Sequence, residues 1–81
     1  MLRGNMEIIH NPTNSFDEIQ ISGLDKDLKY ELISPLGKLI KRGRTSRFRI
    51  RVANLLPPGV YLLKLFPSAH HPGIHNRLLI N

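Results

Sequence analysis

The chain has 81 residues, 41% of them hydrophobic and 22% charged, with no cysteine and a formal net charge of +6. That length allows one domain, which removes only roughly 60–65% of its unfolded surface from water and has little room for both a core and an enclosed catalytic cleft. The composition is too apolar for disorder. The lack of cysteine excludes disulfides, thiolate zinc sites, iron–sulfur clusters and cysteine nucleophiles.

Residues 1–5 read as a loose end before a domain over 6–81. From there the apolar residues recur with period two, the mark of half-buried antiparallel strands. A first strand is predicted over 6–10, closed by the turn chemistry of Asn11-Pro12-Thr13-Asn14. In the second, 16–22, Ile19 and Ile21 alternate with Glu18 and Gln20. The third, 29–34, sets Tyr30 and Leu32 against Lys29 and Glu31, and Ser34-Pro35-Leu36-Gly37 makes a tight hairpin in which Gly37 takes positive φ. The fourth is 38–42, followed by a break from Gly43 to Ser46. In the fifth, 47–52, Phe48, Ile50 and Val52 face the core and Arg47, Arg49 and Arg51 form an arginine ladder on the other face.

Pro57-Pro58-Gly59 precedes the sixth strand, 60–66, and a loop from Pro67 to Gly73 precedes the seventh, 74–80. Both are apolar on nearly both faces and are expected in central positions, with Tyr61, Leu63 and Leu65 inward. No ten-residue segment keeps a helical stripe free of proline and glycine. Short strands with turns every 8–12 residues predict an all-β sandwich or small barrel.

The charge is unevenly spread. Residues 1–31 carry three cations and six carboxylates, whereas 32–81 carry nine cations and no carboxylate. The second half therefore offers no carboxylate pair, no carboxylate metal ligand and no acid to orient a histidine. Seven cations fall in 14 residues from Lys38 to Arg51. Arg42, Arg44, Arg47, Arg49 and Arg51 could contact a polyanion; the simpler alternative is a solvated face that keeps a small sandwich soluble and blunts a strand edge.

His70, His71 and His75 have a spacing that suits metal binding on a helix, which Pro72-Gly73 forbids, so they are expected in an exposed loop without a resident metal. His10 reads as a strand-end residue. No serine lies in a Gly-x-Ser-x-Gly elbow, no glycine-rich phosphate loop is present, and Asp25-Lys26-Asp27 lacks the rest of a calcium loop. These observations point away from an enzyme and from any cofactor.

Three motifs in order carry a family resemblance. A short apolar strand enters Asn11-Pro12-Thr13; a second enters the hairpin Leu36-Gly37-Lys38; a third region reads Leu56-Pro57-Pro58-Gly59-Val60-Tyr61. A basic-apolar strand, Arg77-Leu78-Leu79-Ile80, follows. In this the chain resembles the C-terminal sorting domain (type A) of the type IX secretion system, over about residues 6–81. It departs from the family pattern in His10, in the single cation of its last strand and in the His-His loop.

The resemblance implies a seven-stranded immunoglobulin-like antiparallel β-sandwich at the end of a larger exported protein. Such a domain directs its cargo, already in the periplasm, through the outer-membrane translocon, after which a cell-surface sortase usually removes it. The cargo is often joined to anionic lipopolysaccharide, so the expected location is secreted or at the outer-membrane surface. No signal peptide is evident in residues 1–11, as expected of the tail of a parent chain cleaved near or before residues 1–5. No apolar run approaches the ~20 residues of a membrane-spanning helix.

Recognition is expected to use the last strand, with Ile74, Arg77, Leu78, Leu79 and Ile80, and an open sheet edge that could also pair with a second copy. Asn11, Pro12, Thr13, Leu36, Gly37, Lys38, Gly59 and Tyr61 are expected to specify the fold, with Tyr61 burying its ring and sending its hydroxyl to a backbone partner. Two rivals remain. One is a small basic barrel binding nucleic acid, disfavoured by the five aromatics available for stacking. The other is a carbohydrate-binding sandwich, which would need aligned exposed aromatics.

Overall fold

The computed structural model describes residues 7–13 and 15–81, so the expected loose end at 1–5 lies outside the described residues. Seven strands follow one another: β1 (Glu7–Thr13), β2 (Phe16–Ser22), β3 (Lys29–Ile33), β4 (Leu39–Arg44), β5 (Arg49–Ala53), β6 (Gly59–Phe66) and β7 (Ile74–Ile80). They form a three-stranded sheet, β1-β2-β5, and a four-stranded sheet, β4-β3-β6-β7, with every neighbouring pair of strands antiparallel. The protein is an immunoglobulin-like β-sandwich.

Side-chain alternation fills the space between the sheets. Ile19 and Ile21 of β2 and Ile50 and Val52 of β5 meet Tyr30 and Leu32 of β3, Tyr61, Leu63 and Leu65 of β6, and Leu78 and Ile80 of β7. Each such side chain contributes about 1.5–3 kcal/mol when fully buried. β6 is central, as its two-faced apolar pattern predicts, and Tyr61, Leu63 and Leu65 point inward.

The Tyr61 hydroxyl donates to the Pro57 carbonyl at 2.6 Å. That is the tyrosine corner of immunoglobulin-like sandwiches, which ties the start of a central strand to the loop feeding it. Gly37 has φ 85° in a hairpin closed by the Gly37 amide on the Ser34 carbonyl (2.9 Å) and the Ser34 amide on the Lys38 carbonyl (2.8 Å). Gly59 has another reason: a Cβ there would lie 2.7 Å from Cγ of Pro35.

Four expectations are corrected. Asn11-Pro12-Thr13 is not a turn, because β1 continues to Thr13, with Asn11 opposite Glu18 and Pro12 opposite Asp17. β1 is an edge strand, where a proline without an N–H costs no ladder bond on its open side. β7 is also an edge strand and not a central one.

Gly43 lies within β4, opposite Tyr30, so the chain breaks later, after Arg44. Phe48 is 39% exposed and precedes β5. Arg47 (φ 53°) and Phe48 (φ 62°) are both left-handed, in a two-residue reversal closed by Ser46 and Arg49, which each donate to the other's carbonyl at 2.9 and 3.0 Å. Positive φ at both central positions matches the twist of a hairpin, and it removes Arg47 and Phe48 from the expected strand alternation.

Candidate functional site

Of the expected arginine ladder, Arg49 and Arg51 share the exposed face of β5, whereas Arg47 lies in the turn before it. Arg42 and Arg44 lie on β4, the open edge of the four-stranded sheet, and Arg49 and Arg51 on β5, the open edge of the three-stranded sheet. Between these two edges runs a cleft of about 680 Å³ whose lining includes Lys41, Arg42, Arg44, Arg47, Arg49 and Arg51. Glu18 is its one carboxylate, 3.8 Å from Arg49. Among the described residues no other of these six cations lies within ion-pair distance of a carboxylate.

Local contacts fix several of these side chains. The Lys41 ammonium crosses the cleft to the Arg51 carbonyl (2.6 Å), Arg44 donates to the Asp27 carbonyl (3.2 Å), and the Arg51 guanidinium lies 4.8 Å from the centre of the Phe16 ring. Asp27 organises the whole β4–β5 connection. Its carboxylate accepts from the Phe48 amide (2.7 Å), the Thr45 hydroxyl (2.8 Å) and the Arg47 amide (3.2 Å). These bonds, the Phe48 amide foremost, hold the Asp27 carboxyl below the usual carboxylate range. Buried Thr45 completes the lock by exchanging bonds with the Leu28 backbone at 2.8 and 3.0 Å.

The second exposed surface is the outer side of the four-stranded sheet. Val60 (50% exposed) stands opposite Leu79 (63% exposed) on β6 and β7. Leu39, Ile33 and Leu62 continue the apolar surface across β4, β3 and β6, and Leu36 in the adjoining hairpin is 97% exposed. This surface borders the free edge of β7. Of the residues expected to serve recognition there, Arg77 and Leu79 are exposed and Ile74 half-buried, whereas Leu78 and Ile80 belong to the core.

A buried pair was not anticipated from the sequence. His10 Nε2 lies 3.2 Å from Asp17 Oδ2, an ion-pair approach without hydrogen-bond alignment, and Asp17 accepts the Leu56 amide. Asp17 is nearly inaccessible and ties β2 to the β5–β6 connection. Its inward parity with Ile19 and Ile21 was the available signal.

His70 and His71 lie in the exposed β6–β7 loop and His75 on β7. His71 Nδ1 accepts the Gly73 amide at 2.9 Å. Among the described residues no group of three or more His, Asp or Glu is placed to share a metal ion, and no helix is long and apolar enough to cross a membrane. No family model matches the chain, and neither a curated protein nor a solved structure matches it.

Proposed function

We propose that this chain is a non-catalytic sorting domain, read by secretion machinery of the type IX kind and carrying a larger protein through the periplasm to the cell surface. The reading rests on the ordered motifs around Asn11-Pro12, Leu36-Gly37-Lys38 and Gly59-Val60-Tyr61. The observation that carries it is that β7 is an open edge bordered by exposed Leu79 and Val60. An open edge offers unpaired backbone groups for strand addition, and the apolar side chains beside it supply contact area.

On this reading the partners are the translocon and a cell-surface sortase, with anionic lipopolysaccharide as the acceptor of the released cargo. The rival nucleic-acid reading has less support. Of the rings near the basic cleft, Tyr30 lies in the core and Phe16 under Arg51, which leaves Phe48 as a single open face.

The test is export of a periplasmic cargo fused to this domain in a type IX-competent host. Deleting residues 78–81 should strand the cargo in the periplasm, but that deletion also removes Leu78 and Ile80 from the core. The decisive variant is therefore Leu79→Glu, which alters only an exposed position. It should leave the domain folded and the cargo periplasmic; export at the level of the unaltered fusion refutes the proposal.

A further inference from the structure

Arg42 and Arg44 stand two residues apart on β4, as do Arg49 and Arg51 on β5, so the members of each pair are rooted about 6.8 Å apart. The pairs flank one cleft, with Lys41 crossing it and Arg47 at the β4–β5 turn. Six cations line the cleft with one carboxylate, Glu18, while Glu31 stands opposite Arg42 on the neighbouring strand and leaves the excess strongly positive. Such crowding is repulsive and is relieved by a ligand that brings negative charge. Arg44 is held on the Asp27 carbonyl, Arg51 over Phe16, and the Arg47 backbone on the Asp27 carboxylate, so part of the ordering cost of binding is met in advance.

Five of the six cations are arginines, whose planar forks bind phosphate oxygens two at a time. Five guanidinium forks and an ammonium offer more donors than the oxygens of one phosphate can accept. The ligand must carry several. An acidic peptide added as a strand fits poorly, because the Arg51 carbonyl on the β5 edge is already taken by Lys41. Single-stranded nucleic acid needs open aromatic faces. Phe48 lines an adjoining concavity with Ile9 and Gln20 that shares Arg47 and Arg49 with the cleft, but it is one ring, and Phe16 lies under Arg51, so no row of open rings follows the cations.

We propose that the cleft between β4 and β5 binds a ligand bearing several phosphate groups, either free in solution or on a lipid headgroup. This site lies away from β7 and does not depend on the sorting function.

The experiment is isothermal titration of the full chain with inorganic polyphosphate of about ten units, chosen to span the ~6.8 Å spacing of the arginine pairs. Parallel arms use neutral vesicles doped with a bisphosphorylated lipid, and poly-glutamate and oligothymidine matched to the polyphosphate in charge. Saturable polyphosphate binding is expected, weakening at least about tenfold between 50 and 200 mM salt. Arg42→Ser/Arg49→Ser should weaken it by about tenfold or more, and Lys38→Ser/Arg77→Ser, which removes equal charge outside the cleft, by no more than about twofold.

Vesicle binding with the same variant pattern assigns the phosphates to a headgroup; binding of soluble polyphosphate alone assigns them to a free ligand. Both support the site. Four results overturn it: no binding to either phosphate source, equal weakening by the two double variants, poly-glutamate binding as tightly as polyphosphate, or oligothymidine binding as tightly or more so.

Discussion

The Phe48 amide donates to Asp27 Oδ1 at 2.7 Å, joining the loop before β3 to the turn before β5 across 21 positions of sequence. Through it and the Arg47 amide bond, one carboxylate holds two consecutive side-chain-bearing residues in the left-handed region.

The pH dependence follows from that arrangement. Asp27 has its carboxyl lowered below about 3.8 by the Phe48 amide, the Thr45 hydroxyl and the Arg47 amide. A group depressed on folding stabilises the native state above its unfolded pKa, and that stability is lost as pH falls through the folded value. Asp27→Asn should therefore be less stable near neutrality and should have a shallower acid limb. Urea midpoints between pH 2 and 6 measure both effects.

Left-handed backbone at Arg47 disfavours a long side chain, and asparagine tolerates that region better. Arg47→Asn should raise stability by about 0.5–1 kcal/mol, read as a higher denaturant midpoint at unchanged slope.

Asp17 sits where the core meets the β5–β6 connection. Asp17→Ala leaves the Leu56 amide without its acceptor and His10 without the carboxylate beside it. A loss of about 2–4 kcal/mol is expected, and a chemical denaturation curve would show it.

At the entrance to β6, Gly59→Ala would drive a Cβ to 2.7 Å from Cγ of Pro35. The expected cost is about 1–3 kcal/mol. Pro35→Ala should recover part of it, so a double-mutant cycle should give a coupling of about 0.5 kcal/mol or more. Strict additivity would count against the steric account.

Tyr61→Phe keeps the buried ring and removes only the hydroxyl bond to Pro57. About 0.5–1.5 kcal/mol should be lost. A thermal unfolding series comparing Phe with Ala at this position separates the corner bond from the core contribution.

Alternation in the sequence identified most of the core. Ile19 and Ile21, Tyr30 and Leu32, Ile50 and Val52, and Tyr61, Leu63 and Leu65 are all inward. It failed where local and tertiary preferences part. Asn11-Pro12 has the residues of a turn, yet an edge strand accepts them, and edges are decided by strand order rather than by local sequence.

Phe48 has strand parity, but three bonds to Asp27 from Thr45, Arg47 and Phe48 impose a reversal that period-two counting cannot contain. β7 reads as central because Leu78, Leu79 and Ile80 are consecutive apolar residues, although Leu79 faces outward. The arginines were visible as a charged stretch. Their division between two sheets, with Lys41 bridging them, depends on which strands pair.

The composition of the cleft walls has a last consequence. Guanidinium groups keep their proton at any physiological pH, and Glu18 is the sole carboxylate lining this space. Its positive potential is therefore nearly indifferent to moderate acidity, and dissolved electrolyte is the variable that attenuates it. A protein moving between compartments of differing acidity would carry that field with it largely unaltered.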